Sequence, residues 1–258
     1  MSYLDLDDSK AYRKWVDYKH SRYALRSNQD FPLLLDISPD GTIPQKILST
    51  IRSQIHDYSF ALYKMSGSSE DHLTAVKKIG DQMGLQQLDK NLCASEDRIT
   101  RLSVVENGRP NHYIPYSNKA IGWHTDGYYN PMHQRVLAMV LHCEQPAAVG
   151  GENQLLDHEM AYIHLRNENP DFIRALSRSA VMCIPENVEN GQLIREQTCS
   201  AVFIQEQGHA LSMRYSKRKQ NIIWSDDVLT QEALSCLVDF LESDSPYHVR
   251  YRLNQGEG

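Results

Sequence analysis

The sequence predicts a mainly β chain with flanking helices, on three observations. Helical spacing of apolar residues is concentrated before about residue 98. From Ile99 onward short apolar runs recur between turn residues, the pattern of a sandwich or barrel. At 258 residues the chain suits one larger domain with a sizeable core. The expected division is a helical and mixed part over about 1–98 and a β core over about 99–258, with no repeat, low-complexity segment or linker.

In chain order, Asp8 to Tyr23 has helical spacing, with Tyr12, Trp15 and Tyr18 on one side and charges between. Leu33–Ile37 reads as a short buried strand, followed by a Pro39–Gly41 turn and a helix from Pro44, where proline suits the first turn. Ile47, Ile51 and Ile55 form the inner stripe of that helix. Phe60–Tyr63 is a further strand, and Ser68 to Asp71 cap a helix carrying Leu73, Val76 and Ile79 that stops near Gly84. The β runs are Ile99–Val105, the segment around Trp123, Val136–Cys143, Gln154–Leu156, Val181–Ile184, Ala201–Gln205, Leu211–Tyr215 and Tyr247–Leu253. Two helical inserts interrupt them, from Asp157 through Phe172 and from Thr230 to about Glu242, the second turning Leu234, Leu237, Phe240 and Leu241 inward.

Composition narrows the function. The formal net charge of -6, with 27 Lys and Arg scattered among 33 Asp and Glu, leaves no footprint for nucleic acid and favours small-molecule chemistry. Cys93, Cys143, Cys183, Cys199 and Cys236 are odd in number and contain no Cys-x-x-Cys pair, so they read as reduced core thiols. The N-terminus is acidic and no stretch is long and apolar enough to span a membrane, which predicts a cytoplasmic protein.

The chemistry is concentrated in Ile121–Tyr129. His124 and Asp126 stand two apart, so on a strand their side chains share a face. An imidazole and a carboxylate on one face supply two of the three ligands of the 2-His-1-carboxylate triad that holds non-heme Fe(II). The pair alone is a weak signal, since about one His-x-Asp is expected by chance in such a chain. Context adds to it: Tyr113, Tyr116, Trp123, Tyr128 and Tyr129 could wall a substrate pocket against water, although ordinary core packing explains aromatics equally well. The apolar run Arg135–Glu144 follows, and then Gly150-Gly151-Glu152-Asn153, whose glycines permit positive φ and close backbone approach. His142 and Glu144 also have ligand spacing, but at the end of a core-forming run a structural or surface role is the better reading.

In this order of elements the chain resembles the TauD/TfdA family of Fe(II)- and 2-oxoglutarate-dependent dioxygenases. The family pattern is a Trp-His-Thr-Asp segment, a long apolar strand and a Gly-Gly-Glu/Asp-Thr strand opening, and the resemblance covers roughly Ile99 to Gly258. Tyr251–Gly258 is similar to the family's turn before the strand that carries its second metal-binding His. The resemblance implies a double-stranded β-helix, or jelly roll, with His124 and Asp126 as iron ligands and Fe(II), 2-oxoglutarate and O2 as cofactor and cosubstrates. It also implies hydroxylation of a small, anionic or zwitterionic metabolite with release of succinate and CO2; the carboxylate of Asp126 argues against a halogenating variant.

Two departures qualify what the resemblance implies. Asn153 stands where the family has a cosubstrate-contacting Thr, so an amide replaces a hydroxyl as donor. The second His and the Arg that pairs with 2-oxoglutarate are expected beyond Gly258, so the core reads as truncated and the natural protein as continuing. His209, followed by Arg214 and Arg218, is the alternative source of a third ligand and anion anchor. The cluster Arg214–Lys219 reads either as a solvated turn or as a contact for an anionic substrate. Two rival readings remain: a jelly-roll binding protein without catalysis, and a metal-dependent jelly-roll enzyme that does not use 2-oxoglutarate. Exposed strands and the N-terminal helix are compatible with a homo-oligomer.

Overall fold

A parallel β-α-β unit opens the fold. In the computed structural model β1 (Leu34–Ile37) pairs in parallel with β2 (Leu62–Met65), Leu34 opposite Leu62, and α2 (Gln45–Tyr58) makes the crossover. Preceding it is α1 (Ser9–Arg26), and α3 (His72–Gln82) follows, its first turn capped by the Asp71 carboxylate accepting from Thr74 N at 3.0 Å. The structure describes residues 2–26, 31–67, 71–89, 98–105, 114–218 and 221–258. Tyr113, Cys93, Lys219 and the expected cap residues Ser68–Glu70 lie outside these.

The α2 and α3 faces that cover the small sheet form one of the cores, with Ile37, Ile51, Met65, Ala75 and Ile79 at its centre. The expected stripe is half right. Leu48 and Ile51 point inward, whereas Ile55 is 41% exposed, because a 3.6-residue period rotates a strict i, i+4 row gradually off the face. On α1, Tyr12 and Trp15 do face the interior, Trp15 lying 4.3 Å from the Tyr3 ring, but Tyr18 is exposed and Lys19 and Tyr23 are buried instead.

The larger core lies farther along the chain. Here α4 (His158–Glu168), α5 (Pro170–Leu176) and α6 (Val228–Glu242) pack over β4 (Met182–Ile184) and β8 (Phe203–Gln205). Leu165, Leu176, Met182, Val202 and Leu237 are essentially inaccessible, and Leu234, Phe240 and Leu241 turn inward as the spacing predicts. The remaining strands are β3 (Glu152–Leu156), β5 (Asn187–Glu189), β6 (Gln192–Arg195), β7 (Thr198–Ser200), β9 (Leu211–Met213), β10 (Ile223–Trp224) and β11 (His248–Arg252). Antiparallel pairing joins β11 to β3, β5 to β6 and β8 to β9, and β4 lies between β10 and β7.

Three expected strands are not formed among the described residues, the segment around Trp123 being reduced to a single bridge between His124 and Ser216. Ile99–Val105 and Val136–Cys143 run without a ladder among the described residues, and Leu137 and Val104 are 73% and 64% exposed. A strand exists only by pairing, and these runs have few backbone partners: Val105 N donates to Tyr116 O at 3.0 Å, and Cys143 exchanges bonds with Gly256 and Glu257 at 2.8 Å. The described sheets are accordingly separate and small, and they form no closed barrel. Residues 256–258 join the two halves, since Gly258 exchanges main-chain bonds with Tyr63 at 2.8 and 3.0 Å while Gly256 and Glu257 bind Cys143.

The cysteine expectation also fails in part. Cys183 and Cys199 face one another across the β4–β7 register and form a disulfide, because antiparallel pairing brings residues 16 apart in sequence into direct opposition. Cys143 and Cys236 are free thiols. Among the described residues no helix is long and apolar enough to cross a membrane.

Candidate metal centre and its surroundings

Main-chain pairing places His124. Residues 123–125 run antiparallel to 215–217: Thr125 N donates to Tyr215 O at 2.9 Å, Lys217 N donates to Trp123 O at 2.8 Å, and His124 bridges Ser216. Alternation then sends Trp123 to the side opposite His124, where its ring lies 5.1 Å from His248 and packs against the larger core.

His124 Nδ1 lies 2.9 Å from the Gly122 carbonyl, which can only accept, so Nδ1 carries the proton and Nε2 presents its lone pair. Nε2 is 3.6 Å from Asp126 Oδ1. A first-row ion bound through contacts of about 2.1 Å spans donors roughly 3 to 3.5 Å apart, so the pair fits one ion with a small adjustment. In the metal-free form the Asp126 carboxylate raises the His124 pKa, with the Gly122 carbonyl helping against burial and Arg218. The side chains are 35% and 47% exposed, which leaves the remaining coordination positions open to solvent and ligand.

Beyond Asp126 the chain must turn sharply. Gly127 has φ +62° and Asn130 N donates back to its carbonyl at 2.9 Å. A Cβ there would stand 2.5 Å from Val136 Cγ2, so both conformation and space require glycine. The turn delivers Tyr128 and Tyr129, whose rings meet edge to face at 5.3 Å. Arg214 Nε donates to the Tyr128 carbonyl at 2.5 Å, and Arg218 Nη1 donates to the Tyr128 hydroxyl at 3.2 Å. Arg195 sits 6.0 Å above the Tyr129 ring.

A family model for the taurine catabolism dioxygenases of the TauD/TfdA family matches residues 35–258. This chain belongs to the TauD/TfdA family. It is also 24% identical over 152 residues to a uridine-5'-phosphate dioxygenase of Streptomyces sp., a match covering 59% of this chain and 54% of the relative. The chain thus spans about half the length of the curated relative it matches.

The TauD/TfdA assignment frames the other sequence-derived candidates. Asn153, on β3 opposite Tyr251, turns its amide toward the Gly151 carbonyl at 3.5 Å. Tyr116 is buried in the 114–116 turn. His209 lies in the 207–209 turn between β8 and β9. Among the described residues no group of three His, Cys, Asp or Glu converges as a metal site, so His124 and Asp126 stand as a pair. His142 is held between two side chains: its Nε2 meets His72 Nδ1 at 2.9 Å and its Nδ1 meets the Tyr63 hydroxyl at 3.0 Å.

Arg195 is the residue the sequence reasoning missed in this TauD/TfdA chain. The signal was available: Asn190-Gly191 joins β5 to β6 with φ of +52° and +78°, the two-residue hairpin signature, and folds Arg195 back toward the tyrosines.

Proposed function

We propose that this chain is the iron-binding part of a dioxygenase that depends on Fe(II) and 2-oxoglutarate and acts on a small anionic metabolite. The observation that carries the reading is the His124–Asp126 pair, with Nδ1 pinned by Gly122 and Nε2 directed at the carboxylate. Family membership supports iron, 2-oxoglutarate and O2 as the reacting set, and the Streptomyces relative supports a substrate bearing an anionic group. When bound, iron would supply the oxidising chemistry by which the cosubstrate and O2 are consumed.

The protein's own contribution is positional. Gly122 fixes the imidazole tautomer, the Thr125–Tyr215 and Lys217–Trp123 bonds hold His124 on a rigid segment, and the Gly127 turn sets the carboxylate beside it. Tyr128 and Tyr129 follow the carboxylate directly in the chain, and their paired rings would limit access to a metal held there.

A second reading is favoured by one observation. With no three-donor cluster among the described residues, a member that binds ligands without catalysis would look the same. An anaerobic titration separates them: adding Fe(II) and then 2-oxoglutarate should give the visible charge-transfer band of a chelated keto acid. His124→Ala should abolish stoichiometric Fe(II) binding, and retention of binding would sink the assignment. His209→Ala tests the third ligand in the same assay.

A further inference from the structure

Arg195, Arg214 and Arg218 gather around Tyr128 and Tyr129, where the Asp89 and Asp126 carboxylates also act on the Tyr129 ring. Arg214 is 4% exposed, and after its bond to Tyr128 and a 3.3 Å contact of Nη1 with Met132 Sδ, its Nη2 is buried without a hydrogen-bond partner among the described residues. Arg195 donates through Nη2 to Pro185 O at 2.7 Å and leaves a buried Nε unpaired in the same way. Arg135 also leaves a buried Nε unpaired, but Glu206 meets its charge at 2.5 Å. No carboxylate among the described residues pairs with Arg195 or Arg214, and each feels the other's charge or the tyrosines rather than an acid.

Burying a guanidinium such as that of Arg214 without counter-charge costs free energy, part of which a bound anion would recover. The planar guanidinium fork matches oxyanions, and a phosphate monoester brings between one and two charges and three strong acceptor oxygens. Arg218 reaches the Tyr128 hydroxyl and acts on His124, which adds a third cation beside the candidate metal centre.

We propose that Arg195, Arg214 and Arg218 form the subsite that receives a phosphate-ester group of the substrate, with the reacting carbon directed toward His124 and Asp126. The proposal deepens the dioxygenase reading and rests on it for the word substrate. Anion binding itself is measured without iron, so failure of the two ideas is distinguishable.

The test is equilibrium dialysis of the iron-free chain at low salt against uridine 5′-phosphate and inorganic phosphate, with 2-oxoglutarate as competitor. Uridine 5′-phosphate should bind and phosphate should displace it. Arg218→Gln and Arg195→Gln should each weaken binding about tenfold, the effect of one lost hydrogen bond to a charged group. Arg174→Gln, exposed and bound to Asp171 elsewhere, should leave binding unchanged. Arg218 is exposed, so its variant reports even if Arg214→Gln fails to fold. Absence of phosphate binding, or equal binding by the Arg218 and Arg195 variants, overturns the proposal. Binding of 2-oxoglutarate but not uridine 5′-phosphate, lost in the same variants, also overturns it by assigning the arginines to the cosubstrate.

Discussion

Gly127 separates the carboxylate of the candidate metal pair from the tyrosines, and its φ of +62° is a conformation in which a side chain is strained. Gly127→Ala adds a methyl 2.5 Å from Val136 Cγ2 as well, so it should cost about 1 to 3 kcal/mol in urea unfolding and weaken Fe(II) binding. Unchanged iron affinity would show that Asp126 does not depend on this turn. His142 gives a second residue-scale prediction. Burial, reinforced by His72, lowers its pKa from 6.5 to about 4, while Glu144 opposes the shift and the Tyr63 hydroxyl binds its other nitrogen. Below the ordinary value of 6.5 the unfolded chain takes up a proton that the folded ring refuses. Its contribution is therefore intact above that pH and is lost progressively as pH falls toward about 4. Because the ring is only half-buried, solvent screening reduces the loss to about 1 kcal/mol. Denaturant midpoints at neutral and mildly acidic pH should show it, and His142→Gln should flatten that component of the pH dependence.

At the scale of elements, the disulfide between β4 and β7 encloses the β5–β6 hairpin that presents Arg195. Closing a loop of this length restricts the unfolded chain, so Cys199→Ser should lower stability by about 2 to 4 kcal/mol, read by thermal unfolding with and without reductant. Equal melting of the reduced and oxidised chains would remove the bond from the fold's stability. The same hairpin shows what was legible in the sequence and what was not. The helices could be read because caps and 3.6-residue spacing are local properties, as Asp71 and Asp157 demonstrate, although α4 and α5 read as one insert that the structure breaks at Asn169 and Pro170, and α6 begins at Val228 behind an Asp227 cap rather than at Thr230. The nearness of His124 and Asp126 was legible in their two-residue spacing, although a single bridge at His124 and a turn at Asp126 produce it rather than a strand. The apolar runs around Val104 and Leu137 misled, since apolar alternation reports strand propensity while a strand also requires a distant partner. Arg195 stayed hidden because its proximity to Tyr129 depends on folding back at Asn190-Gly191, far along the chain from the His124–Asp126 segment.

Across the whole molecule, a third apolar cluster of Tyr23, Tyr58, Met160 and Ile163 and a buried polar knot lie where α1, α2 and α4 meet, in addition to the tie made by residues 256–258. Lys19 of α1, 1% exposed, pairs with Asp157 and, at 2.8 Å, with Glu159, and donates to Asp57 O at 2.7 Å. Asp157 is wholly buried, caps α4 through Glu159 N at 3.0 Å, and accepts from Ser59 Oγ at 2.7 Å just past α2. One ammonium group therefore ties α1 to the end of α2 and the start of α4. Arg22 strengthens the tie by binding Asp57 at 2.6 Å. Buried ion pairs contribute little when compared with apolar replacements of the same shape, but removing a single partner strands the other charge. Lys19→Met should accordingly cost about 3 to 5 kcal/mol in denaturant unfolding, because Asp157 keeps its charge without the ammonium group that offsets it. Adding Asp157→Asn should recover part of that loss, since the amide retains the capping oxygen and sheds the stranded charge. A double variant no more stable than Lys19→Met would instead place the cost in lost packing of the lysine stem, and α1 would then be held by its aromatic face alone.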